Sequence, residues 1–391
     1  MKRFSAQYII TNSGSPLKRA IITTENDGTI LSIEDTGGDL QEKHSVEFHN
    51  GIIFPGFVNC HCHLELSHMK GSIAEGSCLG GFLQKVSYTR DDNIEKIIAS
   101  EYSADNGMYS EGIVLCADIC NTSISFNIKK ESRISYFNLL EVFGTDPGKA
   151  SRRMDEIIKV AETAEEMNLP FSMVPHSVYS MSLSLLRLLR EKTKNNKITS
   201  VHFMETSGEK SFLENHSGPL MDSFTLSGLI HFSLETVKNH VDAVLNEITL
   251  SGNLILVHNT FADRGTIRKI KERKNLFWCL CPNSNIYIEN EIPPLDLLLE
   301  EGCEIVIGTD SLASNNKLSI LEELKTLQEN FPSVSIEELV SWATVNGAKA
   351  LGEENRFGKI ESGKKPGLLL LQNVDLINMK LLPDSFVTRL I

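Results

Sequence analysis

Apolar residues along this chain come in short runs, and the texture of those runs changes twice. Over residues 1–50 they are brief and bounded by turns: Tyr8-Ile9-Ile10, Ala20-Ile21-Ile22-Thr23-Thr24 and Ile30-Leu31-Ser32-Ile33. Asn26-Asp27-Gly28 lies between the last two and predicts a hairpin. From residue 51 the runs lengthen and alternate with stretches of helical spacing. Strands are predicted over 52–58, 112–118, 134–141, 170–175, 198–203, 253–258, 275–281 and 304–309. Met154, Ile157, Ile158, Ala161 and Ala164 recur at helical intervals and predict a helix over 150–168, with another over 182–194.

Strands apolar at nearly every position belong to a parallel sheet covered on both faces. Eight of them, separated by helices, fit a (β/α)8 TIM barrel. The alternative is a doubly wound open sheet, which carries a glycine-rich phosphate loop after its first strand. No such loop follows residue 58. After Ala348 the texture returns to turns and strands, with Gly363 and Pro366-Gly367 before Leu368-Leu369-Leu370-Leu371. Neither end is long enough to hold a core alone. Residues 1–52 and 347–391 are therefore expected to pair into one small β-sandwich domain beside a barrel of residues 53–346.

Composition narrows the function classes. The chain has 391 residues, 41% of them hydrophobic, enough for a large core. A net charge of −13, with the acidic residues dispersed, excludes nucleic acid and anionic membranes as expected partners. No apolar run approaches the ~18 residues of a membrane helix, and the first residues show no small-residue cleavage site. A cytoplasmic, soluble protein is expected. The eight cysteines form no Cys-x-x-Cys pair, and several sit inside apolar runs. They read as buried free thiols of a reducing compartment.

Barrel enzymes carry their chemistry where strands end. The first barrel strand ends in Cys60-His61-Cys62-His63, and residues two apart in a strand project to one face. Two imidazoles aimed at one spot make half of a zinc-type site, while Cys60 and Cys62 point away. The fourth predicted strand ends in His176, the fifth in His202 and Glu205, the sixth in His258 and the eighth in Thr309-Asp310. Five of the eleven histidines thus fall on strand ends.

Taken together, Pro55-Gly56-Phe57-Val58-Asn59-Cys60-His61-Cys62-His63-Leu64-Glu65, His202-x-x-Glu205, His258-Asn259, Cys281-Pro282-Asn283-Ser284-Asn285 and Ile307-Gly308-Thr309-Asp310-Ser311 resemble the amidohydrolase superfamily. The resemblance is closest to its branch of cytosine, guanine, S-adenosylhomocysteine and aminodeoxyfutalosine deaminases and related chlorohydrolases. It implies one divalent metal, zinc with iron as the alternative, held by His61, His63, His202 and Asp310. Relatives with two metals use a carboxylated lysine on strand four, and residues 170–175 contain no lysine.

For catalysis the resemblance implies a metal-bound hydroxide attacking the amine-bearing ring carbon. Asp310 takes the water's proton, His258 orients the hydroxide and Glu205 protonates the adjacent ring nitrogen. Five further residues are expected at the substrate. His176, with Tyr179 and Ser182, lies in a Pro-His-x-x-Tyr-x-x-Ser pattern that in related nucleoside deaminases lies against the substrate, with a packing role as the alternative. Glu65 either meets a ribose hydroxyl or caps a helix. Arg90 either meets a carboxylate or starts a solvated helix. Ser284 and Asn285 bind substrate or shape a turn.

The loop of residues 64–90 and the insertion 206–233, with Glu209, Phe212, His216, Phe224 and His231, are expected to roof the pocket. Such a roof suits a small-molecule substrate larger than a free base. The His-Leu-Glu-Leu-Ser run is similar to aminodeoxyfutalosine deaminases of the alternative menaquinone route. The implied reaction is hydrolytic deamination of a 6-aminopurine nucleoside of that kind. S-Adenosylhomocysteine, methylthioadenosine or a free base (guanine, cytosine) are alternative substrates. A chlorohydrolase or amide hydrolase, and a non-catalytic binding protein on the same fold, are the alternative classes. A homodimer is left open.

Overall fold

A computed structural model describes every residue except 42, 44, 229–234, 249 and 250. Five strands open the chain: β1 (Lys2–Ile9), β2 (Leu17–Lys18), β3 (Ile21–Thr24), β4 (Ile30–Glu34) and β5 (Glu47–Pro55). β3 and β4 form the expected antiparallel hairpin, with Ile22 opposite Ile33. β1 begins well before the predicted Tyr8-Ile9-Ile10 run. Its buried Phe4 and Ala6 are separated by polar residues, so no apolar run announces it.

Eight parallel strands follow: β6 (Phe57–Cys62), β7 (Ile113–Cys120), β8 (Ser135–Val142), β9 (Phe171–Pro175), β10 (Ile198–Phe203), β11 (Asn253–His258), β12 (Leu276–Leu280) and β13 (Glu304–Ile307). β6 to β9 pair in order, as do β10 to β13. Bridges between Ser177 and His202 and between Cys62 and Asp310 join the two groups at both seams. The ring therefore closes as a (β/α)8 barrel. The predicted helices are present as Ala150–Glu166 and Leu183–Lys192.

Alternation within each strand explains the unbroken apolar runs. One set, including Leu115, Leu139, Val174, Ile198, Ile255, Cys279 and Val306, forms a cluster drawn from all around the barrel, which is its interior. The other set, including Cys116, Leu140, Val201, Leu254, Trp278 and Ile305, packs in a larger cluster beneath the helices. His202 has the parity of Ile198, so it emerges on the interior side.

The chain ends in β14 (Leu368–Asp375) and β15 (Lys380–Arg389). β14 lies antiparallel to β5, with Leu370 opposite Ile53, and β5 lies parallel to β1. Both ends of the chain thereby share one seven-stranded sheet, ordered β15-β14-β5-β1-β3-β4 with β2 on β1. Phe4, Ile9, Ile22, Ile53, Ile360 and Leu368 pack together within this small β domain. Among the described residues all cysteines are free thiols, and no helix is long and apolar enough to cross a membrane.

The predicted strand 52–58 is in fact two. Ile52 to Pro55 end β5 in the small domain, and Phe57 begins β6 in the barrel. Gly56 marks the division because nothing larger fits. A Cβ there would lie 2.3 Å from Val114 Cγ1 and 2.8 Å from the Pro366 carbonyl oxygen. Gly56→Ala should therefore cost about 1–3 kcal/mol through overpacking. Thermal melting should show a Tm lower by a few degrees, and an unchanged Tm would contradict this account.

Candidate metal centre and active site

At the end of β6, His61 and His63 face one another, their Nε2 atoms 3.2 Å apart. The His202 ring, from β10, lies 4.9 Å from that of His61 and 5.5 Å from that of His63, centroid to centroid. Asp310, just beyond β13, places Oδ1 3.6 Å from Nε2 of both His61 and His63. Its other oxygen accepts from the hydroxyls of Ser284 and Ser314, each at 2.6 Å. One oxygen of Asp310 is thus anchored while the other faces the imidazoles.

The protonation states suit a cation. Burial, reinforced by the neighbouring imidazoles, holds His63 and His202 well below the usual histidine pKa. Both are neutral at pH 7, with lone pairs available. His202 Nδ1 donates to the His176 carbonyl at 2.7 Å, which leaves Nε2 free to face the cluster. Nitrogen atoms of His61, His63 and His202 all lie within 4.8 Å of one another. Three imidazoles and a carboxylate oxygen are a donor set for a borderline divalent cation. Glu141, His176 and His202 also lie close together. There the His202 atom nearest Glu141, at 3.6 Å, is the Nδ1 already bonded to the His176 carbonyl, so no second ligand set converges.

Around this cluster stand the other predicted groups. His258 ends β11 with φ +76°, stacks on His202 at 5.3 Å, and has no hydrogen-bond partner on either ring nitrogen. Burial pushes it down to about 4. Its Nε2 is 3.6 Å from Glu205 Oε1. Glu205 is buried, and its Oε2 accepts from the Tyr179 hydroxyl at 3.3 Å. Burial above all, then the charges of Asp310 and Glu209, raise the Glu205 carboxyl well above its ordinary value. Its surroundings thus favour the protonated, acid form. His176 stacks on His202 at 4.5 Å, bonds Ser180 Oγ through Nδ1 at 2.9 Å, and is pushed down to about 3 by burial.

These groups form the floor of a cavity of about 510 Å³. Leu79, Phe82, Leu83 and Val86 of the helix Cys78–Thr89 make its apolar wall, opposite Phe143 and Phe224. Glu65 and Arg90 lie on the wall and pair with each other at 3.1 Å, and Asn121 bonds both. Glu65 caps no helix, and Arg90 follows the end of the helix Cys78–Thr89 instead of starting one.

Ser284 and Asn285 depart from the substrate role expected of them. Neither is on the cavity wall. The helix Pro282–Glu289 turns its first residues towards the barrel, so Ser284 holds Asp310 and Asn285 donates to Thr260. Of the insertion 206–233, the described residues divide between cavity and core. Phe224 and Gly228 reach the cavity, Phe212 is in the core, His216 bonds Thr236, and Glu209 turns inward. His231 lies outside the described residues. Tyr179, read as a substrate neighbour, also holds Glu205. Ser314 and Glu141 were not foreseen; Ser314 has a faint signal in the Asp-Ser-x-x-Ser spacing.

The family model for the amidohydrolase family matches residues 52–387. The chain belongs to the amidohydrolase family. It is 29% identical over 338 residues to an adenosine deaminase of Helicobacter pylori, covering 82% of this chain and 79% of that protein. It is 26% identical over 386 residues to a 5'-deoxyadenosine deaminase of Methanobrevibacter smithii, covering 91% and 80%. Its fold is similar to that of Helicobacter pylori aminofutalosine deaminase in complex with methylthio-coformycin, with TM-score 0.78, 23% identity and 100% of both chains covered. An atrazine chlorohydrolase of Arthrobacter aurescens complexed with zinc matches with TM-score 0.74 and 16% identity, covering 96% and 88%.

This amidohydrolase-family site should bind about one divalent ion per chain. His202→Ala should abolish that binding with the fold retained. Ser284→Ala should weaken it by about 10–100-fold through a loosened Asp310. Elemental analysis after dialysis, with circular dichroism as the control for folding, checks both outcomes.

Proposed function

We propose that this amidohydrolase-family enzyme is a hydrolytic deaminase of 6-aminopurine nucleosides, with an aminodeoxyfutalosine-like compound as its substrate. A buried glutamic acid, Glu205, beside a cluster of metal-ligand type at the floor of one cavity is the observation that carries this reading. The nucleoside specificities of the similar deaminases support the substrate class.

His61, His63, His202 and Asp310 would hold one divalent cation, and zinc suits their chemistry. When bound, the cation supplies Lewis acidity that lowers the pKa of coordinated water towards neutrality. The chain's own groups do the rest. Glu205 donates its proton to the ring nitrogen beside the amine-bearing carbon, which makes that carbon electrophilic. The facing Asp310 Oδ1 takes a proton from the attacking water, and the unpartnered Nε2 of His258 holds that water in place. A carbon–oxygen bond forms, Asp310 passes the proton it took to the amine nitrogen, the carbon–nitrogen bond breaks with loss of ammonia, and the remaining hydroxyl proton returns to Glu205.

Size and lining support a nucleoside with an extension over a free base. Glu65, Arg90 and Asn121, all on the cavity wall, offer partners for sugar hydroxyls. The aliphatic and aromatic wall suits an apolar extension, and Lys149 and Arg153 line the cavity as well.

Ammonia release from a panel of adenine nucleosides by the metal-loaded enzyme tests this reading. No release from any of them, with release of chloride or a carboxylate from other substrates, would overturn it. Glu205→Gln should lower kcat by about 10²–10⁴-fold while the metal content stays the same.

A further inference from the structure

Glu205 lies beyond the end of β10, where the chain leaves the barrel rim through Met204 in a left-handed conformation, φ +50°. That turn exposes three successive backbone N–H groups inside the protein, and buried donors need an acceptor. One side chain satisfies all three. Glu209 Oε1 accepts from the N–H of Glu205 at 2.5 Å and from that of Thr206 at 3.2 Å. Its Oε2 accepts from the N–H of Met204 at 3.2 Å. A fourth partner comes from much further along the chain: His240 Nε2 lies 2.8 Å from Glu209 Oε2. The His240 ring stands edge-on to Phe203, the last residue of β10, at 5.0 Å.

We infer that Glu209 and His240 form a buried clasp whose role is to position Glu205 for proton donation. The inference rests on the acid role proposed for Glu205 above. Glu209 is fully buried and absent from the cavity wall, so it touches neither substrate nor the histidine cluster. Its four partners leave it no free capacity for a ligand. It therefore acts through the backbone it grips, and it is a positioning residue.

Two fastenings act on Glu205 at different points. The clasp fixes its main chain, and the Tyr179 hydroxyl fixes its carboxyl end. Neither alone sets the direction of an acid that must meet one ring nitrogen. An ionisable side chain fully out of water is seldom the most stable filling for a core. Its presence here matches a demand for geometry at the residue it holds.

The test uses the full-length metal-loaded enzyme and four variants: Glu209→Gln, His240→Gln, Glu205→Gln and the double variant Glu205→Gln/Glu209→Gln. Glu209→Gln should lower kcat by roughly 10²-fold, the scale of a small misplacement of a reacting group. KM should change by less than about threefold, because substrate contacts are untouched. Metal content should not change. In the Glu205→Gln background the same substitution should cost less than about threefold, since the group it positions is already gone. His240→Gln, whose amide still offers a donor, should lose less than Glu209→Gln. It also serves as the readout should Glu209→Gln fail to fold.

Amide hydrogen exchange at Met204, Glu205 and Thr206 gives a measurement independent of turnover. It should quicken in Glu209→Gln and, more weakly, in His240→Gln. Equal losses of kcat in both backgrounds, or undiminished protection of those amides, would overturn the clasp. Ammonia release by the wild-type enzyme tests the reading of Glu205, so the two ideas fail on different measurements.

Discussion

The closure of the barrel onto His61 is the contact on which the rest depends. The backbone N–H groups of Thr309 and Asp310 both donate to the His61 carbonyl, at 2.9 and 3.1 Å. Those bonds join the last strand of the ring to the first. They also set the aspartate carboxylate beside the two imidazoles of β6. The seam of the fold and the heart of the site are therefore one place. A barrel that failed to close would lose its ligand set, because Asp310 meets His61 and His63 across this seam. Asn59 reinforces the seam through the Thr309 hydroxyl at 2.8 Å, and both side chains are buried.

Burial then decides the chemistry of what the seam assembles. Taking imidazoles out of water favours their neutral form, and taking a carboxyl out of water favours its acid form. The same dry floor thus favours lone pairs at His63 and His202 and the acid form of Glu205. No separate device is needed for each. Polar groups this deep need partners, and most have them: Ser284 and Ser314 on Asp310, the His176 carbonyl on His202, Tyr179 on Glu205. His258, with both nitrogens unpartnered, is the exception among the site histidines that face the cavity. An unsatisfied ring in a reaction chamber is an opening for substrate or water.

The strands were legible because parallel barrel strands, covered on both faces, leave an unbroken apolar trace. The histidine pair was legible because a strand's period of two sends His61 and His63 to the same face. His202 and Asp310 could be placed because both sit where an apolar run stops. What stayed hidden depends on the directions side chains take after a strand ends. Pro282 to Asn285 begin a helix whose first turn aims inward, so Ser284 supports Asp310 and does not meet substrate. Glu209 looked like part of a roof because its neighbours are loop-like, yet a left-handed turn at Met204 draws it beneath β10. Arg90 and Glu65 are far apart in the chain, and only packing shows that they neutralise each other. The break at Gly56 was invisible to an apolar count, since the residues on both sides of it are equally buried.

The sheet that joins both termini carries a cost during synthesis. β5 is made early, but its neighbour β14 emerges only after the whole barrel has left the ribosome. Until then one long edge of β5 has unpaired peptide groups and the side chains of Ile52 and Ile53 beside it. Exposed edges of this kind invite pairing with other chains. A nascent chain stalled before residue 368 would be expected to stick to its siblings or to engage a chaperone. Docking of β14 and β15 would then cover that edge.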